Sequence, residues 1–131
     1  MELHEEIVRR DVPLAVDRET AWPALADPAR LEEWFARDVD VDIEPGAEGT
    51  VTDHDGAVRD VVVEEVVPER RVALRWRTGD EPETIVELTL EDDGAGACRL
   101  VVVEVSAALV RAVSTRLVAA GGAHGPALVA A

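Results

Sequence analysis

The sequence predicts an α+β fold, a strongly bent antiparallel sheet of about six or seven strands. Two short helices are expected after the first strand and a helix at the C-terminal end. Residues 38–105 consist almost entirely of strand-like segments separated by turn residues, with no helical segment between them. Sequential strands joined by tight turns are typical of antiparallel sheets. Helix-start signals before residue 38 and after residue 105 account for the helical part.

The first strand is predicted over residues 5–16, which are rich in Val, Leu and Ile. It ends at Asp17, whose side chain can cap a following helix. Pro23 removes a backbone donor soon afterwards and limits this first helix to a short or kinked piece.

The second helix is predicted from Pro28 to about Ala36. Asp27 supplies a cap, and Pro28 occupies the first helical position, where its missing N–H costs nothing. Leu31, Trp34 and Phe35 are spaced three and four apart, so they share the face that packs on a sheet.

The strands that follow are defined by alternation and by turn residues. In residues 38–43 the apolar side chains lie on one face and three aspartates on the other. Turn signals separate the later strands, as Asp55-Gly56 does. The predicted strands are residues 38–43, 49–53, 57–67, 71–78, 83–91 and 97–105.

Residues 106–131 are predicted as a C-terminal helical segment of one domain that spans residues 1–131. Ser106 can cap a helix that Gly121-Gly122 would end. The shared apolar face of that helix comprises Leu109, Val113, Leu117 and Ala120. The remaining tail is either packed on the domain or the end of a helix cut short.

Composition excludes several classes of partner. The net charge is −15, a field that repels phosphate backbones and anionic membrane surfaces, so neither nucleic acid nor membrane is an expected partner. The first residues lack the apolar core of a signal peptide, and no apolar run approaches ~20 residues. A single cysteine, Cys98, excludes an internal disulfide. A cytoplasmic monomer or homodimer is expected.

Several motifs, taken in order over about residues 10 to 105, resemble a known family. Trp22, Asp27-Pro28, Leu31 and Trp34-Phe35 are similar to the "W…L.DP..L..WF" signature of homologues of the heat-shock protein 90 ATPase activator. Further similar segments are Pro45-Gly46, Asp55-Gly56, the run from Glu65 to Arg71, Leu74-Arg75-Trp76, Thr84 to Leu90, Gly96, and Cys98-Arg99-Leu100. This family lies within the SRPBCC superfamily, also called START or birch-pollen-allergen-like.

The resemblance implies a helix-grip fold, with a cavity for small apolar molecules between the concave sheet face and a C-terminal helix. Family members commonly carry a tryptophan after a glycine in that helix, whereas here Pro126 follows Gly125. The gripping helix is therefore expected to be short, displaced or incomplete. Chaperone activity in this family belongs to larger eukaryotic proteins.

Strand alternation and aromatic spacing together define the candidate cavity residues. These are Trp34, Phe35, Leu74, Trp76, Val86, Leu88, Leu100, Val102 and Glu104. Because side chains along a strand alternate with a period of two, Glu104 is expected to face inward. A buried carboxylate needs a partner or has a raised pKa. Alternatively, Glu104 lies in solvent at the end of its strand. The aromatic residues either contact a ligand or simply form core.

No catalytic, metal or cofactor site is predicted. Asp53-His54-Asp55-Gly56 lacks the spacing of a calcium loop and is interpreted as a hairpin turn. Cys98 has no histidine near it in sequence and is interpreted as a small core residue. No glycine-rich phosphate loop connects a strand to a helix.

The favoured hypothesis is a non-enzymatic domain that binds a small hydrophobic ligand. One alternative is an enzyme of the polyketide-cyclase or hydratase kind, with Glu104 as general acid or base. Another is a chaperone-linked or dimeric protein-interaction domain that uses an exposed sheet face.

Overall fold

Seven strands form one curved antiparallel sheet, which confirms the predicted α+β class. In the computed structural model, residues 7–110 are described. The strands are β1 (Ile7–Leu14), β2 (Asp38–Asp40), β3 (Glu48–Thr52), β4 (Val58–Val67), β5 (Arg71–Arg77), β6 (Thr84–Asp92) and β7 (Cys98–Ser106). Their order across the sheet is β1-β7-β6-β5-β4-β3-β2.

The first strand pairs with the last. In the β1–β7 register, Val8 lies opposite Glu104 and Arg10 opposite Val102. On its other side β7 pairs with β6, where Val86 lies opposite Glu104. The two ends of the described chain therefore meet on neighbouring strands.

Three short helices follow β1, rather than the two that were predicted. They are α1 (Arg18–Ala21), α2 (Pro23–Ala26) and α3 (Pro28–Leu31). Asp17 caps α1 by accepting a hydrogen bond from the Thr20 backbone N–H. Pro23 was expected only to shorten the first helix, but it begins the second, since a proline fits the first helical turn.

The prediction that the last of these helices extends to Ala36 was wrong. Helix α3 ends at Leu31, and residues 32–35 continue as turns. The Glu32 carboxylate accepts a hydrogen bond from the Val39 backbone N–H at 2.9 Å, and Arg37 N–H donates to the Thr52 carbonyl. These bonds direct the chain into the sheet. The helix ends before them, because Glu33 N–H and Trp34 N–H donate three residues back, to the Arg30 and Leu31 carbonyls, instead of four.

The helices cover part of the inner face of the sheet. Leu25 and Leu31 are fully buried between the helices and the strands. The Trp34 indole N–H donates to the Ala24 carbonyl at 3.0 Å, which ties the turn after α3 back to α2. Of the three residues predicted to share one helix face, Leu31 is buried, whereas Trp34 and Phe35 follow the end of α3 and are partly buried.

The core lies on one face of the sheet, as the strand alternation predicts. Buried strand residues on this inner face are Val39, Val51, Val61, Val63, Val72, Leu74, Trp76, Val86, Leu88, Leu90, Cys98, Leu100 and Val102. Strand β2 ends at Asp40, earlier than the predicted residue 43. Val41 is nevertheless buried and Asp42 exposed, so the alternation outlasts the strand pairing.

The chain that leaves β2 passes close to the start of β3. An added Cβ at Gly49 would overlap the Asp40 carbonyl oxygen and would lie 2.8 Å from the Val41 Cβ. Glycine at this position lets the chain leaving β2 cross tightly over the start of β3.

The predicted C-terminal helix begins within the described residues. The Ser106 hydroxyl accepts a hydrogen bond from the Leu109 backbone N–H at 3.1 Å, and residues 107–110 are helical. Several predictions fall on residues outside the described range. They are the helix face beyond residue 110, the helix end at Gly121-Gly122, the tail with Gly125-Pro126, and residues 5–6 of the first strand. Between residues 7 and 110, no helix has the length and apolar character to cross a membrane.

Replacing Gly49 by alanine is expected to destabilise the fold. The new methyl group forces the β2–β3 crossing apart, so the free energy of unfolding should fall by about 1–3 kcal/mol in urea denaturation. Glu48→Ala is the matched control, because Glu48 is exposed in the same strand. It should change stability by less than about 0.5 kcal/mol. Equal stability of the two variants would contradict the close approach.

Candidate functional site

A cavity of about 380 Å³ lies on the inner face of the sheet, beside the end of β5 and the end of β7. Strands β1, β4, β5, β6 and β7 contribute to its walls, together with the turn after α3 and residue 53. The lining residues are Val8, Arg10, Phe35, Asp53, Arg59, Trp76, Val86, Val102 and Glu104. The cavity is thus assembled from distant parts of the chain.

The predicted site residues divide into two groups. Five of them line the cavity: Phe35, Trp76, Val86, Val102 and Glu104. Leu74, Leu88 and Leu100 are buried in the core, and Trp34 is bonded to α2 instead. Contact of any of these residues with a ligand stays a prediction.

Four lining residues were not predicted: Val8, Arg10, Asp53 and Arg59. A signal existed for Arg59, since alternation places it on the same face as the buried Val61 and Val63. A signal existed for Arg10 as well, because Val8, Arg10 and Val12 alternate along β1. Asp53 had no such signal, because it lies in the turn after β3.

Arg59 is held by two neighbouring side chains. Its Nε and Nη2 donate to Asp53 Oδ2 at 2.9 and 2.6 Å, and its Nη1 donates to Thr78 Oγ1 at 3.1 Å. Both partners of the ion pair are only 25% exposed. Burial lowers the pKa of Arg59, but the hydrogen bonds and charge of Asp53, with smaller contributions from Glu104 and Asp55, outweigh it and raise the pKa. The guanidinium is therefore a fixed positive charge in the cavity wall.

The Trp76 indole joins the aromatic and the polar parts of the wall. The Arg59 Cζ lies 4.6 Å from the indole ring centroid, within the range of cation–π attraction. Phe35 stacks on the indole with centroids 5.6 Å apart and an interplanar angle of 21°. The indole Nε1 donates to Glu104 Oε2 at 3.3 Å. Glu104 is thus half-buried and faces inward, with Trp76 as its partner.

The charged groups of this wall balance one another. Two guanidinium groups, Arg10 and Arg59, accompany two carboxylates, Asp53 and Glu104. The other lining residues are apolar, so the cavity has an apolar part and a polar part. Such a lining suits the non-covalent binding of a small molecule that carries a polar group.

Apart from Asp53, the other residues considered for chemistry lie outside this cavity. Asp53 to Gly56 form the hairpin turn that was predicted, with Gly56 N–H donating to the Asp53 carbonyl at 2.9 Å. Within the part of the chain that is described, no cluster of His, Cys, Asp and Glu is suited to hold a metal ion. Cys98 is buried, and burial, with the charges of Asp17 and Asp92, raises the pKa of its thiol.

Two further depressions, of about 420 and 490 Å³, have a different character. They lie mainly along the outer face of the sheet, where ion pairs such as Arg71–Glu65 line them. Although both are larger, neither is lined by the stacked aromatic pair of Phe35 and Trp76 that forms one side of the inner-face cavity. The inner-face cavity is therefore the better candidate site.

Comparison with known protein families gives one match. The sequence profile of the family described as Activator of Hsp90 ATPase homolog 1-like protein matches residues 15–124. A search of curated proteins finds no significant match.

Several solved structures are similar to this one. DynU16, a protein in the dynemicin biosynthetic locus, is 32% identical with a TM-score of 0.68, over 78% of this chain and 38% of DynU16. CalU16 from Micromonospora echinospora is 24% identical with a TM-score of 0.57, over 76% of this chain and 59% of CalU16. PFC0360w, an HSP90 activator from Plasmodium falciparum, is 12% identical with a TM-score of 0.61, over 77% and 73% of the two chains. The matched part thus spans less than two thirds of DynU16 and of CalU16.

The pairing of Asp53 with Arg59 is expected to stabilise the cavity wall. A double-mutant cycle with Asp53→Ala and Arg59→Ala should give a coupling free energy of about 1 kcal/mol in urea denaturation, because the pair is partly shielded from water. The exposed pair Arg9 and Asp11, in which Arg9 is 57% exposed, is the control and should show a smaller coupling. Equal couplings would mean that the cavity does not shield the inner pair.

Proposed function

Since this chain belongs to the family described as Activator of Hsp90 ATPase homolog 1-like protein, we propose that it is a binding domain for a small, largely apolar molecule. The binding site is the cavity on the inner face of the sheet. Binding is non-covalent, and the ligand is held between the aromatic wall and the apolar residues of β6 and β7.

The observation that carries this proposal is the size and lining of the cavity. Its volume of about 380 Å³ falls in the range of small-molecule sites, about 300–1,000 Å³. Phe35, Trp76, Val86 and Val102 provide apolar surface, and burial of apolar surface is the main source of affinity for such ligands. An apolar ligand body of one or two fused rings fits this space.

The similar structures support a small-molecule role more than a protein partner. DynU16 lies in a biosynthetic locus and shares 32% of its aligned residues with this chain. The HSP90 activator PFC0360w shares only 12%, which supports the fold alone. The enzyme and the protein-interaction alternatives stay predictions, as does a cytoplasmic location.

Filling the cavity is expected to weaken ligand binding. Val102→Phe places a larger side chain in the cavity, so the affinity for prodan, a neutral naphthalene probe, should fall by at least about tenfold. The measurement is a fluorescence titration of each purified variant.

The matched control is Val103→Phe, the next residue of the same strand. Val103 faces the outer side of the sheet and does not line the cavity. The affinity of the Val103→Phe variant for prodan should stay within about twofold of that of the unaltered protein. Circular dichroism should show that both variants are folded. Equal loss in the two variants, or no binding of prodan at all, would overturn the proposed site.

A further inference from the structure

The polar part of the cavity is organised around one ring. Arg59 lies over the face of the Trp76 indole, with its Cζ 4.6 Å from the ring centroid. Glu104 accepts the hydrogen bond of the same indole at 3.3 Å. A donor group and an acceptor group of opposite charge therefore both contact the same indole at the cavity wall.

Both groups retain hydrogen-bonding capacity. A guanidinium has five N–H groups, and Asp53 and Thr78 together accept three hydrogen bonds from Arg59. Glu104 accepts the indole N–H at Oε2, and among the described residues its Oε1 accepts no hydrogen bond. Among the described residues, two N–H groups of Arg59 and the Oε1 of Glu104 thus have no hydrogen-bond partner.

The charges at this place disfavour a charged ligand. The four charged side chains of the wall, Arg10, Arg59, Asp53 and Glu104, carry no net charge, so neither an anion nor a cation gains a net attraction from the cavity. In either case the ligand loses its hydration without full compensation, which is costly in a partly enclosed cavity.

A neutral polar group meets neither penalty. A group that both donates and accepts, such as a carboxamide, pairs its donor with Glu104 and its acceptor with Arg59. An unsubstituted apolar ligand would instead cover both groups and leave them unpaired, which a binding site of this kind discriminates against.

Building on the proposed binding role, we propose that Arg59 and Glu104 determine the specificity of the cavity. They select an apolar ligand that carries one uncharged donor–acceptor group, in preference to carboxylates, ammonium ions and purely apolar molecules.

Four naphthalenes that differ in one substituent test this specificity. They are naphthalene-2-carboxamide, naphthalene-2-carboxylate, naphthalen-2-ylmethylammonium and 2-methylnaphthalene, each measured by displacement of prodan at neutral pH. The carboxamide should bind at least about tenfold more tightly than either ion, and several-fold more tightly than 2-methylnaphthalene.

Two variants distinguish the effect of the Glu104 carboxylate from the effect of removing any one negative charge from the protein. Glu104→Gln keeps an acceptor but removes the negative charge, so the carboxylate ligand should gain at least about tenfold in affinity and the ammonium ligand should lose as much. Glu87→Gln makes the same change on the outer face and should leave all four affinities within about twofold.

The outcomes distinguish this inference from the proposed function. Suppose that prodan binds and that Val102→Phe weakens its binding. The specificity alone would then be overturned if one of the ions bound most tightly, or if Glu104→Gln and Glu87→Gln had equal effects. Failure of prodan and all four naphthalenes to bind would overturn both.

Discussion

The antiparallel pairing of β1 with β7 is the constraint on which the cavity depends. It places Val8 and Arg10 beside Glu104 and Val102, on the same face. Because side chains alternate with a period of two, a shift of one residue would turn these groups outward and bring their neighbours inward. The identity of every lining residue on these strands thus follows from this register.

Trp76 has a second organising role. It is almost completely buried, and its ring contacts an aromatic residue, a guanidinium and a carboxylate. Charged groups next to an apolar core need partners, and here each of these has one. The cavity is consequently amphipathic, whereas the sequence predicted apolar walls with a single carboxylate.

Much of the fold could be predicted because the relevant signals are local. Alternation in residues 71–77 assigned Leu74 and Trp76 to the core face, and Asp55-Gly56 marked a turn where one occurs. The end of α3 could not be predicted, because it is a change of backbone hydrogen-bond partners at Glu33 and Trp34, followed by the bond of Arg37 N–H to the Thr52 carbonyl. Helix propensity contains no information on those partners.

Alternation and turn residues by themselves were enough to predict about six or seven strands, the inner face, and Trp76, Val86 and Val102 of the cavity. Aromatic spacing added Phe35, and the sequence left Glu104 between an inward and a solvent-exposed position. Only the tertiary structure placed Arg59 over Trp76, and Glu104 at the indole N–H of a residue 28 positions away. The physical reason is how far along the chain the determining residues lie. The direction of a side chain follows from its own strand, whereas its charged neighbours depend on how distant strands pair and on how the sheet curves.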